Sequence, residues 1–137
     1  MKKYILTSLL AAIAGFIANM TIGFLIIFIV PSLEAEYNNT VIFRPWEDPL
    51  MSLYYLHPFY IAFILAWVWN KTKTLISGNI WRQAFVFTGF YFLLATFPGL
   101  MLSISSFKIS FVMTFSWAIG AFAQTYIMSL LYAKLLK

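Results

Sequence analysis

ILTSLLAAIAGFIANMTIGFLIIFIV, residues 5–30, carries no charged side chain and stops at Pro31. A helix needs about 20 apolar residues to cross the hydrocarbon of a bilayer, and this run exceeds that. Three comparable runs follow. Leu50 to Trp69 is interrupted only by His57-Pro58 and closes at Asn70-Lys71; the others are Gln83 to Leu102 and Ile109 to Ala133. None alternates polar and apolar residues as a barrel strand would. Away from water each segment must bond its own backbone groups, so all four read as helices. The predicted fold is an all-α integral membrane four-helix transmembrane bundle forming a single domain. Its helices cover 4–31, 50–70, 81–102 and 108–135, with an outer loop over 31–49.

The rest of the composition agrees. Of the 137 residues, 63% are hydrophobic and 9% charged, far below the charge content of a soluble domain. The absence of cysteine excludes disulfides, thiolate metal centres and a cysteine nucleophile. The net charge of +5 comes from basic residues that flank apolar spans, which points to a membrane surface and away from nucleic acid. Lys2-Lys3 and Ala12-Ile13-Ala14 imitate a secretory signal, but the run stays apolar well past that site, so the first helix is expected to be uncleaved.

Direction follows from the cations. Lys2, Lys3, Lys71, Lys73, Arg82, Lys134 and Lys137 fall on one side, and only Arg44 and Lys108 on the other. The positive-inside rule puts both termini and the middle loop in the cytoplasm, an N-in/C-in arrangement in a prokaryotic plasma membrane. Trp46, Tyr54, Tyr55 and Tyr60 then lie near the outer headgroups and Trp67, Trp69 and Trp81 near the inner ones, as anchoring aromatics do. Lys71, Lys73 and Arg82 are expected to attract anionic headgroups.

Because lipid is as apolar as leucine, helices inside it associate by close approach and occasional polar contacts. Ala11, Gly15, Asn19 and Gly23 recur every four residues on the first span, and Ser116, Gly120 and Gln124 on the fourth. These stripes predict that spans one and four meet. Asn19 and Gln124 are expected to find hydrogen-bond partners there, acting as interhelical glue ahead of a polar step in a solute path. Pro98-Gly99 predicts a kink near the outer end of the third span, followed by a tight hairpin over Ser103 to Lys108.

The outer loop is the one candidate site. It holds Glu34, Glu36, Arg44, Glu47 and Asp48, and His57 follows with Pro58 near the expected start of the second helix. Carboxylates with a histidine suit a divalent cation or an acid–base pair. Their spacing matches no metal motif, so neither a metal nor another cofactor is assigned.

Leu56-His57-Pro58, Trp67-Val68-Trp69, Pro98-Gly99, Ser105-Ser106-Phe107 and Ser116-Trp117 with Gly120 give the stretch over 50–135 a resemblance to a family of small, uncharacterised four-span prokaryotic integral membrane proteins. The resemblance implies the fold and adds no activity. The chain lacks the Gly-rich, Arg-bearing pattern of fluoride channels and the membrane-embedded glutamate of small multidrug exporters. The expected role is a non-catalytic scaffold, accessory subunit or partner-binding bundle, as a homo-oligomer or with another membrane protein. An oligomeric small-solute or ion transporter is the alternative, ahead of a lipid-acting enzyme built on His57 and the outer carboxylates.

Overall fold

The computed structural model describes residues 1–137 and contains helices without strands. Helix α1 covers Lys2–Ile29, α2 Ser32–Tyr37, α3 Ser52–Thr72, α4 Ile80–Tyr91, α5 Phe97–Ser106 and α6 Phe111–Leu135. A 3₁₀ turn at Pro49–Met51 leads into α3, another at Lys73–Leu75 ends it, and a π turn at Phe92–Thr96 joins α4 to α5. Four continuous segments are long and apolar enough to cross a membrane: Lys2–Ile29, Pro49–Leu75, Ile80–Ser106 and Phe111–Leu135.

The fold is turned inside out relative to a soluble domain. Only 25 of 137 residues are buried, while Phe24, Phe28, Leu94 and Phe111 are 71–84% exposed. An apolar surface this extensive is unstable in water and suits lipid.

Helix α6 is the centre of the bundle, with α1 and α4 packed along it and α3 packed on α1. The largest core lies at the end carrying the termini. There Ala11 and Ala12 of α1 and Ala62, Leu65, Ala66 and Trp69 of α3 meet Phe87, Met128, Tyr132 and Ala133. Alanines let the backbones approach closely, which is how helices gain dispersion energy where lipid offers no hydrophobic drive. A second, smaller core at the far end joins Leu33, Ile109 and Met113 to Ile26, Val30, Tyr37, Phe43 and Trp117. The connection over 31–49 is therefore a folded cap over α1 and α6. Tyr37 Oη accepts the Trp117 indole N–H at 2.7 Å, and Phe43 meets the same indole edge to face.

Several boundaries differ from the sequence expectation. Helix α3 starts at Ser52, so His57-Pro58 lies inside it and not in its first turn. Asp48 accepts the Leu50 N–H at 2.8 Å and Pro49 opens the 3₁₀ turn, a start signal that outranks the later proline. Pro58 is tolerated at the cost of a donor to the Tyr54 carbonyl. The third span runs on to Ser106, and α6 begins only at Phe111, so the hairpin is shorter than Ser103 to Lys108. The helix passes Pro98 without breaking because the π turn just before it shifts the hydrogen-bond register: the Phe97 N–H reaches back to the Phe92 carbonyl.

Candidate functional site

The seam between α1 and α6 is built by exchange of small and large groups. A Cβ on Gly15 would lie 2.7 Å from Met128 Cε and 3.1 Å from the Gln124 carbonyl oxygen. Reciprocally, a Cβ on Gly120 would collide with Asn19 Oδ1. Each helix thus offers a glycine notch to a side chain of the other. Gly23 has open space around it and takes no part. Ser116 Oγ donates to the Met113 carbonyl of its own helix, at 2.7 Å.

The two amides do not behave as expected. Gln124 is buried and Asn19 half-buried, yet neither side chain enters any of the side-chain hydrogen bonds. Asn19 is held by shape, its oxygen seated in the notch that Gly120 leaves. Hydroxyls make the polar links instead. Thr88 Oγ1 of α4 donates to Ser129 Oγ of α6 at 3.0 Å, and Ser129 donates on to the Thr125 carbonyl. Tyr132 and Tyr4 donate to the Ala62 and Phe63 carbonyls of α3, at 2.8 and 2.9 Å. A hydroxyl fits this role better than a long amide, because it is satisfied with one donor and one acceptor in a narrow gap.

Two of the four acids, Glu36 and Asp48, serve as helix caps. Glu36 Oε1 accepts the Ser110 N–H at 2.6 Å and Oε2 accepts the Ser110 hydroxyl at 2.7 Å, while Ser110 Oγ takes the Met113 N–H. This places a carboxylate at the positive end of α6. Asp48 caps the start of the second span and pairs with Arg44 at 2.8 Å. The Leu50 N–H, with the Arg44 guanidinium second, holds the Asp48 carboxyl below its ordinary range. Glu34 and Glu47 are exposed, and His57 is exposed on α3 with no hydrogen bond or ion pair. No three of these groups come close enough to hold a metal ion. Sequence signals for the caps exist: Ser110 directly precedes an apolar run, and Asp48 precedes a proline.

The third span divides at the π turn. Its first half packs on α6 through Ala84, Phe87 and Thr88, but no residue from Phe92 to Ser106 is buried. Ala95, Gly99 and Ser103 follow at four-residue spacing on this half, which touches α6 without being buried by it, and Gly99 faces open space.

At the end carrying the termini, a cavity of about 720 Å³ opens between the α3–α4 connection and the end of α6. Trp69, Lys73, Asn79, Trp81 and Lys137 line it. Lys71 and Arg82 are not among its lining residues, and the Arg82 guanidinium donates to the Ser77 carbonyl and hydroxyl. Trp69 is not an interfacial anchor either: it is 1% exposed and packed edge to face on Phe87. Compared with known proteins, the chain matches no family model, no curated protein and no solved structure.

Proposed function

We propose that this chain is a non-catalytic scaffold or accessory bundle of a prokaryotic plasma membrane that assembles with a second copy of itself through the outer half of its third span. In this reading both termini lie in the cytoplasm, and the four spans are those of the small family that its sequence resembles. The bias of seven of the nine basic residues supports that direction.

The observation carrying the reading is the stretch from Phe92 to Ser106, which touches α6 on one side yet buries none of its residues. In lipid, helices associate where small residues let backbones touch, and Ala95, Gly99 and Ser103 provide such a strip with nothing of the chain's own against Gly99. A strip of this kind is self-complementary across a two-fold axis, which favours a second copy as its occupant. Two of the carboxylates that an enzyme would need, Glu36 and Asp48, are engaged as caps, and His57 has no ion pair.

Single-molecule photobleaching in native membranes tests the proposal. The wild-type chain is expected as a dimer or larger assembly, and Gly99→Ile as a folded monomer. A monomeric wild-type protein that moves a solute across vesicles would end this reading. Solute flux through the assembled form would favour the oligomeric transporter, with the π turn and Pro98-Gly99 as its flexible element.

A further inference from the structure

We infer that the cavity between Trp69, Lys73, Asn79, Trp81 and Lys137 binds a phosphate group of an anionic ligand. Three independent observations converge on it. The first is charge. Lys73 and Lys137 line the cavity, and all four acidic residues of the chain, Glu34, Glu36, Glu47 and Asp48, lie at the opposite end of the bundle. Lys73 Nζ donates one proton to the Leu136 carbonyl at 2.8 Å, which fixes the ammonium in place and leaves two donors free.

The second is the start of the third span. Asn79 Oδ1 takes the Arg82 N–H at 3.0 Å and the Asn79 carbonyl takes the Gln83 N–H at 2.9 Å. The N–H groups of Ile80 and Trp81 have no partner in the chain. They sit at the positive end of a long helix, where an anion is favoured.

The third does not depend on the helix. The Trp69 indole Nε1 is enclosed by protein and has no hydrogen-bond partner. A donor can be left unsatisfied in a dry interior only at a cost of about 1–3 kcal/mol, and Trp69 lines this cavity. An acceptor-only ligand with several oxygens satisfies the indole, the helix N–H groups and both ammoniums together. The exposed Trp81 at the rim suits the headgroup level, so a phospholipid is one source of that phosphate and a free phosphate the other.

The test uses the full chain in detergent, stripped of lipid, so that no bilayer charge contributes. Phosphatidylglycerol, phosphatidylcholine and inorganic phosphate are titrated separately while the Trp69 indole N–H resonance is followed. The expected result is a downfield shift of that resonance with phosphatidylglycerol and a weaker response to phosphatidylcholine. A shift with inorganic phosphate as well identifies a soluble source; a shift with phosphatidylglycerol alone identifies the headgroup. Lys73→Gln keeps a donor for Leu136 and is expected to weaken binding about tenfold, equivalent to about 1.4 kcal/mol. Lys71→Gln, at the same end but outside the cavity, leaves it unchanged. The proposal fails if none of the three ligands moves Trp69, or if Lys71→Gln weakens binding as much as Lys73→Gln.

Discussion

Gly15 and Gly23 occupy the same stripe of α1, and the structure predicts opposite outcomes for the same substitution at each. Alanine in place of glycine inside a helix gains about 0.5–1 kcal/mol of backbone entropy. At Gly23 a new Cβ meets nothing within 4 Å, so that gain stands alone. At Gly15 it lies 2.7 Å from Met128 Cε, 2.9 Å from Met128 Cγ and 3.1 Å from the Gln124 carbonyl oxygen. Met128 is fully buried, and its Cγ is too near the backbone to swing clear. The Gln124 carbonyl belongs to the helix and moves only if α6 moves. Overpacking of this kind costs about 1–3 kcal/mol, which outweighs the entropy gain. Gly15→Ala should therefore be less stable than Gly23→Ala by about 1–3 kcal/mol, the entropy gain cancelling between them. Equilibrium unfolding in mixed micelles, by titration with an anionic detergent, measures both. Adding Met128→Ala to Gly15→Ala should show favourable coupling, since it removes the two nearest atoms. If Gly15→Ala proves as stable as Gly23→Ala, the α1–α6 seam is not packed as described.

Three further outcomes follow from the polar contacts. Thr88→Val should lower stability by about 0.6 kcal/mol, the mean worth of such a bond in a membrane bundle, because Ser129 keeps its own acceptor in Thr125; the same unfolding titration checks it. Glu36→Gln should cost about 1 kcal/mol and raise hydrogen exchange in the first turn of α6, where the carboxylate caps Ser110. The Asp48 carboxyl is held low in the folded state, so its contribution is complete above the ordinary carboxylate range and fades as pH falls through its folded value. Protection of the Leu50 amide, corrected for intrinsic exchange, should fall over that acidic range, and Asp48→Asn should abolish the dependence.

The four helices were legible because each exceeds the length that hydrocarbon demands and bonds its own backbone. The meeting of α1 with α6 was equally legible, since glycine at four-residue spacing matters only where another helix comes close. What periodicity could not show was the partner on each side of a notch: Gly15 receives Met128, an ordinary apolar residue in sequence, and Gly23 receives nothing. The amides drew attention because a lone Asn or Gln in a span stands out. The working bond, Thr88 to Ser129, involves two residues that look unremarkable until α4 and α6 are side by side. In the outer loop, Glu36 looked like a ligand because the sequence holds it 74 residues from Ser110, the position it caps. The orphaned indole of Trp69 was hidden by a role that tryptophan commonly plays at the headgroups.

The account rests on four crossings with the termini and the middle connection in the cytoplasm, and the chain offers a clean way to test it because it contains no cysteine. Single cysteines at Val41, Leu75 and Phe107, all exposed and each in a different connection, would be treated in intact cells with a membrane-impermeant maleimide. The account predicts labelling at 41 and 107 without permeabilisation and at 75 only after it. Labelling at 75 in intact cells, or at all three positions alike, would contradict it.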